Sequence, residues 1–177
     1  AGGGASKCGG WADERKYAGL GVAACATCDG FFYRNKTGVV VGGGDTACEE
    51  ATYLAGLAEK VYLIVRRDVL RASKASQDRV FKTPNIEILF ETQTVDLLGD
   101  DSGLTGAQLI HKKGTENESF SEIAIDGFFL AIGHHPNSEV FSKYINVDEQ
   151  GYIITEGKTS LTNVPGVFAA GDVMDPM

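Results

Sequence analysis

The feature that most constrains the fold is a turn of three glycines. Thr37 to Val41 is a β-branched run ending at Gly42-Gly43-Gly44, after which a helix-compatible stretch runs to about Gly56 with Asp45 placed to cap it. Ala47, Ala51, Leu54 and Ala55 recur at spacings of three and four, a narrow face suited to close packing on a sheet. Lys60 to Val65 reads as the next strand. Together these segments make a β-α-β unit of about 30 residues, the size of a parallel crossover.

The turn itself has the pattern G-x-G-x-x-A. Gly42 permits the tight turn, Gly44 lets a pyrophosphate approach the backbone, and Ala47 replaces a third glycine where helix and strand pack closely. About twenty residues on, where such units read the ribose, there is no acid but Arg66-Arg67, with Arg71 close behind. Guanidinium groups there match a 2′-phosphate, which points to NADPH rather than NADH. The plainer alternative is a solvated basic turn.

Upstream lies Cys25-Ala26-Thr27-Cys28-Asp29-Gly30. Two cysteines at this spacing can close and reopen a disulfide, and an acid beside Cys28 suits a leaving thiolate that needs a proton. Zinc is the alternative, but it needs two more ligands. Cys8 and Cys48 are not paired with each other in sequence, and His111, His134 and His135 are far away. Cys48 falls on the packing face of the first helix and reads as an inert core thiol. A third motif, Gly166-Val167-Phe168-Ala169-Ala170-Gly171-Asp172, is a strand ending in Gly-Asp, where a carboxylate can reach a ligand hydroxyl; by itself it is also an ordinary strand-to-turn.

Between these motifs the pattern predicts a helix over Ser73 to Phe81 and a strand over Asn85 to Phe90. A small antiparallel layer is expected over Thr92 to Ile125, with segments Thr94 to Leu98, Gln108 to His111 and Phe120 to Ile125 separated by Gly103, Gly106 and Gly114. A strand over Asp126 to Ile132 follows, and Tyr152 to Thr155 and Val167 to Ala170 are strand-like. Ala1 to Gly21 reads as loop or connector. The net charge of −8 argues against nucleic acid as the main partner, and no apolar run approaches the ~20 residues of a membrane span.

In this order and spacing the three motifs resemble low-molecular-weight thioredoxin reductases of the bacterial, plant and fungal type, from about Gly4 to Pro176. The resemblance implies an α/β fold: a Rossmann-like three-layer ββα nucleotide-binding domain, with helices on one side of a parallel sheet and a small antiparallel layer on the other. It implies a connector over 1–11, an NADPH-binding and redox-disulfide domain over 12–126, and part of a C-terminal FAD-binding segment over 127–177. Cys25 and Cys28 would be the redox pair, Cys28 facing the flavin, Cys25 exchanging with thioredoxin, and Asp29 acting as general acid. Gly42 to Thr46 would hold the NADPH pyrophosphate and Arg66, Arg67 and Arg71 its 2′-phosphate. Ile132, Gly133 and His134 would mark the return to the flavin domain, and Gly171 and Asp172 would contact FAD.

The parent would be a cytoplasmic homodimer with no nucleic-acid or membrane partner, whose domain rotates between two positions. Related enzymes serving a peroxiredoxin or a ferredoxin-linked system share the cysteine motif, and a non-catalytic nucleotide- or zinc-binding module is a further alternative. Val65 stands where the family often has His, Thr46 replaces Ser, and the first eleven residues keep only Gly4-Ala5-Ser6 of the usual connector. Both ends read as cut from something longer. With its one Gly-rich turn assigned to NADPH, the chain alone is expected to bind FAD poorly and to be inactive toward thioredoxin. The part from Phe128 onward is expected to leave apolar strand faces in want of a cover.

Overall fold

The computed structural model describes residues 4–6, 17–23, 26–132, 134–136, 138–157, 159–171 and 173–174, with 4–6, 134 and 135 described by backbone alone. The chain divides into two compact units, one of Cys8–Ile132 and one combining Ala1–Lys7 with Gly133–Met177.

In the larger unit, five strands form a wholly parallel sheet: β2 (Val22–Ala23), β3 (Thr37–Val41), β4 (Lys60–Ile64), β5 (Ile86–Leu89) and β9 (Gly127–Leu130). Their order is β2-β9-β3-β4-β5. Neighbouring residues of each central strand go to opposite faces. Val40, Leu63 and Phe129 join one buried cluster with Ala47, Ala51 and Leu54 of helix α2 (Asp45–Ala55), while Val39, Ile64 and Phe128 join another with Leu97 and Leu109. A strand covered on both faces reads as an unbroken apolar run, which is why Val39-Val40-Val41 and Phe128-Phe129-Leu130 show no alternation.

Leu97 and Leu109 belong to an antiparallel sheet of β6 (Thr92–Asp100), β7 (Gly103–His111) and β8 (Ser119–Ala124). Helix α3 (Lys74–Lys82) and the short helix α1 (Ala26–Asp29), continued by a 3₁₀ turn over Gly30–Tyr33, complete the unit. Helices, parallel sheet and antiparallel sheet are the three layers expected from the sequence.

Several local expectations are corrected. Asp45 is not the cap of α2: Gly44 holds that position without a side-chain hydrogen bond, and Asp45 is the first helical residue. Strands β6 and β7 are longer than the sequence segments, and Gly106, taken as a separator, lies inside β7 opposite Ala124. Glycine there leaves room for the neighbouring strand, since a Cβ would lie 2.9 Å from the Ile123 carbonyl oxygen. Strand β9, directly after residue 126, is hydrogen-bonded between β2 and β3 in the larger unit's sheet.

In the smaller unit, β1 (Gly4–Ser6), inside the stretch read as loop, pairs antiparallel with β10 (His134–Pro136). The expected strands at 152–155 and 167–170 are isolated bridges, Val147 with Ile153 and Leu161 with Phe168. Ile145, Ile153, Ala169 and Val173 form a small core, while Val140, Tyr144 and Phe168 are well exposed. Four buried aliphatic residues cannot organise long ladders, so the backbone turns instead.

The larger unit hangs on the middle of its sheet. Phe129 is fully buried between β3 and the helix layer. Phe129→Ala should destabilise the chain by about 3–5 kcal/mol in urea unfolding, the cost of a large buried cavity; a loss below about 1 kcal/mol would contradict this packing.

Candidate functional site

The glycine turn joins the end of β3 to the start of α2. Gly42 has φ +150°, and a Cβ there would lie 2.5 Å from the Ala131 carbonyl oxygen and 2.7 Å from the Ala47 Cβ, so both conformation and packing require glycine. Gly44 is different. Its φ of −95° is open to any residue, and an added Cβ would meet nothing within 4 Å. Nothing described in the chain calls for a glycine at this point, but a ligand lying against the backbone would. The first turn of α2 presents N–H groups with no partner inside the helix, together with the positive end of its dipole. The turn therefore fits a phosphate group, and a pyrophosphate above Gly44 and Thr46 has room.

The arginines follow β4. Arg66, Arg67 and Arg71 are exposed, while Val65, Leu70 and Ala72 between them are buried. The ion pairs among the described residues are Lys60–Glu87 and Lys112–Glu91, so none of the three guanidinium groups is held by a carboxylate. Their loop is nevertheless fixed. The N–H groups of Arg71 and Ala72 both donate to the Gly43 carbonyl, at 2.6 and 3.2 Å, and the Arg67 carbonyl accepts from Glu91 N–H at 3.0 Å. Val65, in place of the family's frequent His, is buried beneath Gly43 and serves packing. Three cations thus lie on a braced loop bonded directly to the glycine turn.

Helix α1 packs against α2 and carries Cys28, which is disulfide-bonded and exposed; its partner and Cys25 lie outside the described residues. A sulfur in a disulfide is not a thiolate ligand, so this state does not suit zinc. Among the described residues no cluster of three His, Cys, Asp or Glu side chains could hold a metal. Ala26 is fully buried, and its N–H donates to Glu50 Oε2 of α2 at 3.4 Å. Asp29, partly buried, closes the helix.

The sequence reading missed what comes next. Phe31 and Phe32 are 66% and 71% exposed on the turn after Cys28, with the Arg34 guanidinium 5.4 Å from the Phe31 ring centre. The signal in the sequence was only their adjacency to the C-x-x-C. Tyr33 does turn inward, edge-on to Phe129 at 5.1 Å. Burial, and after it the charges of Asp29 and Asp126, push its hydroxyl above the usual tyrosine range.

The remaining candidates are less informative. Ile132 is partly exposed, the His134 backbone pairs with Ser6, and Gly171 has φ +81° with open space around its Cβ position. Gly133 and Asp172 lie outside the described residues. No helix of the described residues is long and apolar enough to cross a membrane.

Cys48 is a buried free thiol whose pKa is pushed up to about 11, first by burial and then by the charges of Asp45 and Glu49. At pH 8 its thiolate fraction is on the order of one part in a thousand. Native protein treated with an alkylating reagent and mapped by peptide should therefore leave Cys48 unmodified, while prior reduction should expose about two further thiols. Rapid labelling of Cys48, or no gain of thiols on reduction, would contradict the arrangement.

Known proteins resemble this chain in sequence and in fold. The chain is 47% identical over 169 residues to the thioredoxin reductase of Coxiella burnetii, covering 92% of this chain and 52% of that one. It is 46% identical over 164 residues to NADPH-dependent thioredoxin reductase 3 of Arabidopsis thaliana, covering 92% of this chain and 31% of that one. The structure superposes on thioredoxin reductase of Lactococcus lactis with a TM-score of 0.84 at 36% identity, covering 99% of this chain and 56% of that one. The chain thus spans about half the length of several relatives it matches. With a match over residues 1–177, it belongs to the pyridine nucleotide-disulphide oxidoreductase family.

Proposed function

We propose that the whole protein is a thioredoxin-disulfide reductase using NADPH and FAD, and that this chain holds its nucleotide-binding and redox-disulfide domain. One observation carries the reading: a glycine turn open at Gly44 is hydrogen-bonded to a loop of three arginines with no carboxylate partner among the described residues, on a unit that also displays a disulfide-bonded cysteine. The relatives named thioredoxin reductase support it.

When bound, NADPH supplies a hydride and FAD passes the two electrons on. The chain's own residues do the rest. Gly42, Gly43, Gly44, Asp45 and Thr46 shape the pyrophosphate turn, and Arg66, Arg67 and Arg71 provide a fork of donors for the 2′-phosphate. Gly171 and Asp172 belong to the flavin side, as do Ile132, Gly133 and His134.

With the cysteine pair reduced, the Cys25 thiolate attacks one sulfur of the thioredoxin disulfide. That bond breaks, a mixed disulfide forms, and the displaced thiolate takes a proton. The Cys28 thiolate then attacks the Cys25 sulfur, which closes the pair and frees the second thiolate, so two electrons and two protons reach thioredoxin. Asp29, next to Cys28, serves as the general acid of this exchange. Phe31 and Phe32 offer the partner an apolar contact beside the reacting sulfurs. The reading includes a homodimeric parent and a cytoplasmic setting, where a free thiol such as Cys48 stays reduced.

Replacing Arg66 and Arg67 together by Ala should weaken NADPH binding at least about tenfold, as expected for loss of a charge-assisted contact worth roughly 1.5–3 kcal/mol. NADH, which lacks the 2′-phosphate, should bind as before. Titration calorimetry with both nucleotides decides it, and equal losses would mean that these arginines do not read the 2′-phosphate.

A further inference from the structure

Asp45 presents a puzzle. It places a carboxylate in the first turn of α2, beside a turn shaped for an anion of the same sign. Interaction with the helix dipole alone would favour an acid there, but repulsion from a bound pyrophosphate would oppose it.

Its hydrogen bonds lead elsewhere. Asp45 Oδ1 accepts from the Ser73 N–H at 2.9 Å and from the Ser76 hydroxyl at 2.8 Å, both at the start of α3. Ser73 Oγ caps α3 from its own side, accepting from the Ser76 N–H at 3.4 Å. These donors hold the Asp45 carboxyl below the usual carboxylate range, so it is ionised at any working pH.

Ser73 directly follows the arginine loop. Three consecutive N–H groups, those of Arg71, Ala72 and Ser73, therefore all bond to the glycine turn, two to the Gly43 carbonyl and one to the Asp45 carboxylate. On the other side, the Gln77 side-chain amide donates to the Ala72 carbonyl at 2.8 Å. Gly43 contributes through its backbone, so Asp45 is the side chain through which the turn holds the loop.

We infer that Asp45 is a positioning residue for cofactor specificity: through Ser73 and Ser76 it keeps the loop of Arg66, Arg67 and Arg71 in register with the phosphate turn. This rests on the assignment of those arginines to the 2′-phosphate. The nearest arginine to the brace is Arg71, two residues from Ser73, whereas Arg67 is also held by Glu91. The brace therefore acts chiefly through Arg71.

The test measures binding of NADPH and of NADH to the intact protein and to its Asp45→Ala, Arg71→Ala and double variants. Asp45→Ala should lower the NADPH-to-NADH affinity ratio about tenfold, as for one misplaced charge-assisted contact, while any change at the pyrophosphate turn falls on both nucleotides alike. The double variant should lose less than the product of the two single losses, because one change acts through the other. Ser76→Ala, which keeps the carboxylate and removes one donor, should shift the NADPH-to-NADH ratio in the same direction by a smaller factor, and it decides the matter if Asp45→Ala does not fold. Equal weakening of both nucleotides, no weakening of either, or fully multiplicative losses would overturn the inference while the Arg66 and Arg67 result still stood. If the Arg66 and Arg67 variant itself fails to discriminate between the nucleotides, the assignment of the arginines fails and this inference fails with it.

Discussion

At the end of β3 the chain packs against itself so closely that only glycine fits at position 42. A Cβ on Gly42 would overlap both the Ala131 carbonyl of the neighbouring strand's extension and the Ala47 methyl of α2. Because no side chain intervenes, α2 starts directly at the carboxyl end of the sheet, with Ala47 and Ala51 fully buried beneath it. The rest of the site follows from that contact. The helix N-terminus lies where a parallel sheet leaves a crevice, and the Gly43 carbonyl is left free to receive the loop that follows β4. A larger residue at 42 would move the helix, and the turn, the loop and the arginines would move with it.

The three layers divide the work. On the helix side, α2 carries the glycine turn at its start and packs against α1, with Cys28. The antiparallel sheet brings no candidate catalytic group. Leu97, Leu109 and Ile125 seal the other face of the parallel sheet, and Glu91, just ahead of β6, holds the Arg67 carbonyl. That layer contributes stiffness, and it places the far end of the arginine loop. The rim of the site is therefore braced on two sides, from Gly43 and Asp45 and from Glu91.

Much of this was legible because the signals are local. A β-branched run, the glycine turn with its required Gly42 and a small-residue helix face lie within twenty positions, and each constrains the same crossover, so β3, α2 and β4 fell where the pattern put them. The pairing of β6 with β7 was harder, since register shifts at Thr94/Asp96 and Leu98/Gly99 break the alternation that marks a strand. Asp45 was misread because an acid at the start of a helix has two possible partners, its own helix and a neighbour, and the neighbour lies 28 residues away. Phe31 and Phe32 were missed because exposure is a tertiary property. Cys25, Gly133 and Asp172 fall outside the described residues, so their roles rest on the motifs alone.

In the proposed function the whole protein passes electrons from NADPH through FAD and the pair Cys25 and Cys28 to the thioredoxin disulfide. The most direct measurement follows NADPH oxidation and thioredoxin thiol formation together in the intact protein, with and without Cys28→Ser. The account predicts two thioredoxin thiols for each NADPH oxidised, and loss of that turnover in Cys28→Ser while NADPH still binds. Undiminished thioredoxin reduction by Cys28→Ser would contradict it.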